Sequence, residues 1–319
     1  MFENPFATVD FRCQPIQCHG RSDGAGKSLC RPLILAAGNP QLGRDVKPIR
    51  PKFENPPLIE RAITIAFRKL EGLTLGDYGL FWSRLRGEFP ISEVASPIVQ
   101  ELETYDGPKI AQPQIQLLAE NTLPRGLFRN PEKGELIQLQ PDRFSFNWIK
   151  TGSDHSYPHS ETVLTRFFTL FSEFAAFVNE RELGEIVPTQ CELTNVNVIP
   201  VSDVGESFTD IATVMKIPDL GQQYDCLRLE SQLVGAKHLI VDEAGNSIGR
   251  VHSLGQPTLQ VSTSEQAFRF DIVARGAPIG SGMKGVEAFL DRAVSAVNAV
   301  FLSSVTSAGR QFWGEVDGK

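Results

Sequence analysis

Alternating apolar and polar positions predict several strands in the first two thirds of the chain. Around residue 146 three aromatic residues share one side, while Ser145 and Asn147 share the other, which is the period of a half-buried strand. Leu58–Phe67 and Cys191–Val201 alternate in a similar way and are rich in β-branched residues, so each is predicted to be a strand. The three aromatic residues are Phe144, Phe146 and Trp148.

Helical spacing predicts two long amphipathic helices. The first runs from Ser160 to about Leu183 and has a phenylalanine-rich apolar side, and Gly184 supplies its end. The second runs from about Lys284 to Val305. A shorter helix is predicted after Thr74, because the Thr74–Asp77 spacing is that of a capping box.

The last third of the chain is predicted to be rich in strands. A hairpin turn at residues 242–246 separates two short apolar runs, and further alternating segments lie on either side. The predicted strands are Leu227–Leu233, Leu239–Val241, Ile248–Leu254, Leu259–Ser264 and Phe268–Ala274.

The order of these elements predicts an α+β fold of mostly antiparallel sheets, each covered by one long amphipathic helix. Two similar halves are expected, residues 53–203 and residues 204–319. Residues 1–52 are rich in proline and show no sustained period of strand or helix, so they are predicted to be a disordered extension outside the folded body.

Charge and composition narrow the classes of function. The net charge is -7, with +4 in residues 1–52 and -11 in the remainder, which disfavours nucleic-acid binding by the body. No apolar run is long enough to span a membrane, and the first residues do not resemble a signal peptide. Five cysteines, an odd number, do not suggest a disulfide framework, so a cytoplasmic protein is expected.

Two motifs in the extension could carry chemistry. Gly24–Ser28 resembles part of a phosphate-binding loop, but position 21 is arginine where that motif needs glycine, so a flexible basic loop is the favoured interpretation. Cys13, Cys18, His19 and Cys30 are metal-ligand types without the close cysteine pair of a zinc site.

The folded body shows no motif for catalysis or metal binding. Asp154, His155, His159 and Glu161 lie on a loop broken by proline, without the helical spacing of a metal site. No nucleophile elbow or zinc-protease motif occurs either. We therefore predict no catalytic residue, no metal and no cofactor.

One set of polar residues is the best candidate for a binding site. Arg143 and Asn147 belong to the aromatic strand, and Asn195 and Asn197 belong to a second one. Buried amides need hydrogen-bond partners. These side chains therefore either satisfy one another and the backbone, or line a pocket.

The body resembles a family of sporadically distributed bacterial proteins of uncharacterised function, over about residues 53–316. Residues 1–52 lie outside the family pattern, and Val294 stands where that pattern has a histidine. Tyr157 and Glu161, which carry part of the resemblance, complete the set of candidate binding residues; the resemblance implies no activity, cofactor or catalytic residue. The segments that carry it include Asn55–Glu60, Leu75–Pro90, Gln138–Trp148, Cys191–Asn197, Leu290–Arg292 and Trp313–Gly314.

Two functions from different classes follow as expectations. The first is a non-enzymatic binding or regulatory protein of a bacterial accessory or defence operon, which binds a protein partner or associates with itself. The alternative is an enzyme or small-molecule binder with a pocket between the first sheet and the helix over residues 160–183. A deep polar cavity around Asn147 and Asn195 would favour the second function, and a filled core would favour the first.

Overall fold

The computed structural model describes residues 49–99, 102–105, 122–152, 158–218, 226, 229–260 and 263–316. Helices in these ranges are α1 (Leu75–Leu85), α2 (Ser160–Glu180), α3 (Gly282–Ser304) and α4 (Ser307–Phe312), with 3-10 helices at Val201–Asp203 and Phe208–Thr213. The strands are β1 (Lys52–Phe53), β2 (Leu58–Phe67), β3 (Ile91–Ala95), β4 (Arg125–Asn130), β5 (Glu135–Gln140), β6 (Arg143–Ile149), β7 (Pro188–Pro200), β8 (Val234–Val241), β9 (Ser247–Leu259), β10 (Gln266–Gly276) and β11 (Glu315–Val316).

Nine of these strands form one antiparallel sheet in the order β3-β4-β5-β6-β2-β7-β10-β9-β8. The predicted α+β class with antiparallel strands is confirmed. Both predicted halves contribute to this sheet, and they meet where β7 of the first pairs with β10 of the second. That the two ranges fold as separate units stays a prediction.

The sheet itself divides between β2 and β7 rather than at residue 203. Its first half, β3 to β2, and its second half, β7 to β8, follow the same path. In the first half β4, β5 and β6 form a meander that returns to β2, and α2 follows. In the second half β8, β9 and β10 form a meander that returns to β7, and α3 follows. The order of elements in the first half is therefore repeated in the second, and a pseudo-two-fold axis between β2 and β7 relates the two halves.

Local sequence explains where several elements begin and turn. The Asp77 carboxylate accepts hydrogen bonds from the Thr74 backbone N–H at 3.0 Å and from the Thr74 hydroxyl at 2.6 Å, which confirms the predicted start of α1. Gly134 closes the β4–β5 turn with φ of +63°, and a Cβ there would stand 2.0 Å from the Ile149 carbonyl oxygen. Only glycine fits this turn without moving backbone.

The two long helices lie on one side of the sheet, which we call the helix face. The Phe144 ring lies on Phe167, Phe171 and Phe174 of α2, at centroid distances of 6.1, 5.5 and 5.3 Å. Helix α3 covers β7 and β10 with a buried apolar stripe. The predicted core between the aromatic strand and the first long helix is confirmed.

Two predicted strands are wrong in their described part. Residues 229–233 form no strand, because Leu229 and Leu233 are exposed rather than directed to a core. Leu259 ends β9 and Gln266 begins β10, and between them the Gln260 N–H donates to the Glu265 carbonyl at 2.8 Å. In both segments apolar and polar residues alternate without forming a strand, in a loop at residues 229–233 and at the end of the β9–β10 hairpin after Leu259.

The last residues of the predicted extension are part of the folded structure. Asn298 donates a hydrogen bond to the Ile49 carbonyl at 2.7 Å, Arg50 forms an ion pair with Asp291, and Lys52 lies opposite Val316 in the β1–β11 pair. Residues 1–48 lie outside the described ranges, and with them the loop at 24–28 and the cysteine–histidine cluster. None of the helices in the described ranges is long and apolar enough to cross a membrane.

Candidate functional site

The candidate binding residues named from the sequence lie in three different places. Asn147 is opposite Ala62 of β2, whereas Asn195 is opposite Arg61, the next residue on that strand. Since neighbouring residues of a strand point to opposite sides, Asn147 and Asn195 lie on opposite faces of the sheet. Arg143 shares the face of Asn147, and Asn197 shares that of Asn195.

The remaining two candidates are not part of either group. Glu161 is exposed at the start of α2, 3.8 Å from the Arg50 guanidinium. Tyr157 lies outside the described residues. The structure therefore does not unite the predicted set in one pocket.

The amides on the helix face are satisfied within the protein. Arg61 is 1% exposed, and its Nε donates to Asn195 Oδ1 at 2.8 Å while Nη1 donates to the Ser160 hydroxyl at 2.6 Å. Asn197 donates to the Phe270 carbonyl at 3.0 Å. Asn195 and Asn197 thus hold strands and α2 together.

The other side of the sheet, which we call the polar face, carries a chain of hydrogen bonds across four strands. Arg125 of β4 donates to the side-chain Oε1 of Gln138 at 2.8 Å, and the Gln138 side-chain amide donates to Asn147 Oδ1 at 2.8 Å. Asn147 donates in turn to the Glu60 carboxylate of β2. We call this chain of hydrogen bonds the relay. The Arg125 guanidinium lies at one end of it and the Glu60 carboxylate at the other, and the two side-chain amides between them are oriented by these charges.

Removal of the central amide tests the structural role of this relay. Asn147 is 4% exposed, and its replacement leaves Gln138 without its acceptor and Glu60 without a donor. We expect Asn147→Ala to lower the free energy of unfolding by about 1–3 kcal/mol, measured by urea denaturation. Asn179→Ala, at an exposed position of α2, is the matched control and should change it by about 0.5 kcal/mol or less. Equal effects of the two variants would contradict the relay.

A segment between β3 and β4 is anchored on the polar face at two glutamines; we call its described residues, 96–99 and 102–105, the anchored segment. The Gln140 side chain exchanges two hydrogen bonds with the Ile98 backbone, at 2.9 and 3.0 Å. The Glu103 N–H donates to Gln190 Oε1 at 2.8 Å. The Glu103 carboxylate is paired with Arg250 at 2.5 Å and also contacts His252. The segment is therefore fixed to both halves of the sheet.

Arg143 lies in the row of residues between these two anchors. Across four adjacent strands the register aligns Gln140, Arg143, Ala66 and Gln190. Burial lowers the pKa of Arg143, and the charge of Arg275 acts in the same direction, whereas Asp142 and Glu192 oppose it. Arg143 is thus a cation in a poorly hydrated position.

Arg125, Gln138, Gln140 and Glu60 were not recognised as site residues from the sequence. The sequence does contain evidence for the two glutamines, because Pro141 and Asp142 predict a two-residue hairpin turn between β5 and β6. Such a turn places Gln140 opposite Arg143 and Gln138 opposite Ser145, as observed. The anchors at Ile98 and Glu103 had no comparable local signal.

The outer edge of β8 is the second candidate site. Within the described ranges β8 has a neighbour on one side only, and Leu239 and Val241 are 54% and 42% exposed. Lys237 and His238 are its charged or titratable residues. An exposed strand of this kind offers unpaired backbone groups to another extended chain.

The described residues hold no cluster of three His, Cys, Asp or Glu side chains that could bind a metal. Two hollows of about 770 and 280 Å³ occur among them, beside Glu88 and Lys133 and beside Phe208 and Leu229. None of the binding residues predicted from the sequence lines either hollow. No protein-family model and no curated protein matches the chain.

Proposed function

We propose that the protein is a non-enzymatic binding protein that takes up an extended segment of a protein partner along β8. The observation that carries this proposal is the unpaired outer edge of β8, an eight-residue strand, among the described residues. Added strands gain main-chain hydrogen bonds, and alternate side chains provide specificity. Membership of a bacterial accessory or defence operon rests on the family resemblance alone and is part of the proposal.

The two edges of the sheet differ in a way that supports β8. Strand β3 covers the outer edge of β4 in the first half, whereas β8, which takes the place of β4 in the second half, has no such cover among the described residues. An incoming strand would complete the pseudo-symmetric sheet. Strand β3 itself is a poor acceptor, because it has only five residues, carries Glu93 and lies between Pro90 and Pro97.

The charge of β8 favours a partner that carries a carboxylate. Lys237 is exposed, and β8 contains no acidic residue. A second copy of this chain would bring a strand that carries the same Lys237, and like charges on adjacent strands are unfavourable. An extended partner with alternating apolar residues and a carboxylate opposite Lys237 fits better.

The filled core supports a binding surface rather than an internal pocket. The space between β6 and α2 is occupied by phenylalanine rings, with Phe144 stacked on Phe174 at 5.3 Å. The alternative function placed its pocket there. We therefore place the partner site at the edge of the sheet.

A pair of synthetic octapeptides tests this proposal. Both alternate valine and threonine, and they differ in a central glutamate or lysine; each is labelled and titrated with the protein in a fluorescence anisotropy assay. We expect the glutamate peptide to bind with a Kd at least about threefold lower than its twin, because a cross-strand ion pair forms with Lys237. The Lys237→Glu variant should reverse this preference, and Lys237→Gln should abolish it.

Hydrogen exchange identifies where the peptide binds. Amides of β8 should exchange more slowly in the presence of the glutamate peptide, whereas amides of β3 should not change. Binding without protection of β8, or no binding at all, would contradict the proposal. A further control omits the peptide. If the β8 amides then exchange more slowly as the protein concentration rises, the edge binds a second copy of this chain instead.

A further inference from the structure

We propose that the hollow of about 280 Å³ beside Phe208 binds a small neutral aromatic molecule that carries one N–H or O–H donor. The hollow is lined by part of the 3-10 helix at Phe208–Thr213 and by residues of two loops, at 217–218 and 229–232. None of its lining residues belongs to β8. The site therefore goes beyond the proposed partner edge and is tested separately from it.

The wall that contains Phe208 is held by the folded body. The Phe208 ring meets the Phe268 ring of β10 edge-on, with a centroid distance of 5.9 Å and an interplanar angle of 62°. Ile211 of the same 3-10 helix is fully buried, and the Lys216 N–H donates to the Ser304 carbonyl of α3 at 2.7 Å. This side of the hollow is therefore fixed by β10 and α3.

The first reason for a ligand is an acceptor that lacks a donor. Gln232 Oε1 is buried and has no hydrogen-bond partner among the described residues. The Nε2 of the same amide donates to the Pro218 carbonyl at 3.2 Å. Because that carbonyl can only accept, exchanging the amide oxygen and nitrogen would lose this bond. Buried acceptors are nearly always satisfied in folded proteins, so the hollow that Gln232 lines lacks a donor.

The second reason is the uncharged lining, which selects a neutral ligand. None of the described residues that line the hollow is ionisable, and most of them are apolar. The Thr209 hydroxyl is engaged with the Ser207 hydroxyl at 2.7 Å, which leaves Gln232 as the polar anchor. A charged molecule would lose hydration here without gaining a partner of opposite charge. The apolar lining residues are Phe208, Ala212, Ile217, Pro218 and Leu229.

The third reason is size, which together with Phe208 favours one ring or two fused rings. A cavity of about 150 Å³ holds benzene, and pockets for drug-sized ligands begin at about 300 Å³. The hollow lies between these two sizes. An aromatic ring against Phe208 gains a ring–ring interaction beyond the apolar area that it buries, which an alkyl chain does not.

A pair of isosteric probes tests the class of ligand. Indole and benzofuran have the same shape, but indole presents an N–H donor where benzofuran presents an oxygen. Each is titrated into the full-length protein by isothermal calorimetry. We expect indole to bind with a Kd lower by about fivefold or more, because only indole can donate to Gln232 Oε1.

Two variants then locate the site. Gln232→Leu removes the acceptor, so indole and benzofuran should bind this variant equally. Ala212→Leu places a larger side chain in the hollow and should weaken the binding of both probes by about tenfold.

Each variant has a matched control at an exposed position outside the hollow. Gln311→Leu on α4 and Ala244→Leu in the β8–β9 turn should bind both probes as wild type does. The melting temperature of every variant shows whether it is folded. If Gln232→Leu does not fold, the ratio of the two Kd values in wild type and the effect of Ala212→Leu decide the question.

Any of four results would overturn the proposal. The first is no binding of indole to wild type up to the solubility limit of the probe, and the second is equal affinity of wild type for indole and benzofuran. The third is a preference for indole that survives in folded Gln232→Leu. The fourth is unchanged binding by folded Ala212→Leu, which would place the probe elsewhere.

Discussion

Phe144→Ala is expected to lower the free energy of unfolding by about 3–5 kcal/mol, which is a large part of the stability of an ordinary domain. Phe144 is fully buried, and its ring contacts three rings of α2. The helix is held on the sheet by those rings, so a cavity at this position cannot close without moving α2. Urea denaturation followed by circular dichroism gives the measurement.

Two further variants serve as controls for the loss of stability expected in Phe144→Ala. Phe312→Ala removes a phenylalanine that is 52% exposed, and it should cost about 1 kcal/mol or less. Phe144→Leu keeps most of the volume and should cost about 1.5 kcal/mol, which allows a measurement if the alanine variant does not fold. Comparable losses for Phe144→Ala and Phe312→Ala would show that the core is not centred on these rings.

Asn195→Leu is expected to destabilise the protein by about 1–3 kcal/mol, at the upper end of that range because the donor it abandons is charged. The side chain is 6% exposed and accepts from the buried Arg61 guanidinium. The double variant Arg61→Met/Asn195→Leu should recover much of the loss, because it removes the buried charge together with its acceptor. The measurement is a double-mutant cycle in urea.

The size of the coupling decides between two roles of Asn195. We expect a coupling energy of about 1–3 kcal/mol between Arg61 and Asn195. Strictly additive losses would mean that Asn195 acts only by filling space on the helix face. In that case its hydrogen bond to Arg61 contributes nothing measurable to stability.

The sequence predicted the local elements well because their periods are short and strong. Strand β2 has the predicted bounds, and α2 ends three residues before the predicted Leu183. The aromatic side of β6 meets α2 as its alternation required. These features depend on neighbouring residues alone, so a pattern in one segment is sufficient.

The grouping of the candidate site residues could not be predicted, because it depends on which strands pair and in which register. Asn147 and Asn195 look equivalent in sequence, yet a difference of one residue on β2 puts them on opposite faces. Arg61 shows the same limit, since it occupies an apolar position of the β2 alternation and is almost completely buried. Its acceptor lies 134 residues further along the chain.

The pairing of β2 with β7 has a consequence for the route of folding. Each meander closes through short turns, but this central pair joins segments more than a hundred residues apart, as the separation of Arg61 and Asn195 shows. Contacts so distant in sequence form slowly, so we expect β2 and β7 to pair after the hairpins on either side of them have formed. Until then the exposed edge of β2 can accept β7 from another molecule, which makes exchange of halves the expected misassembly at high concentration.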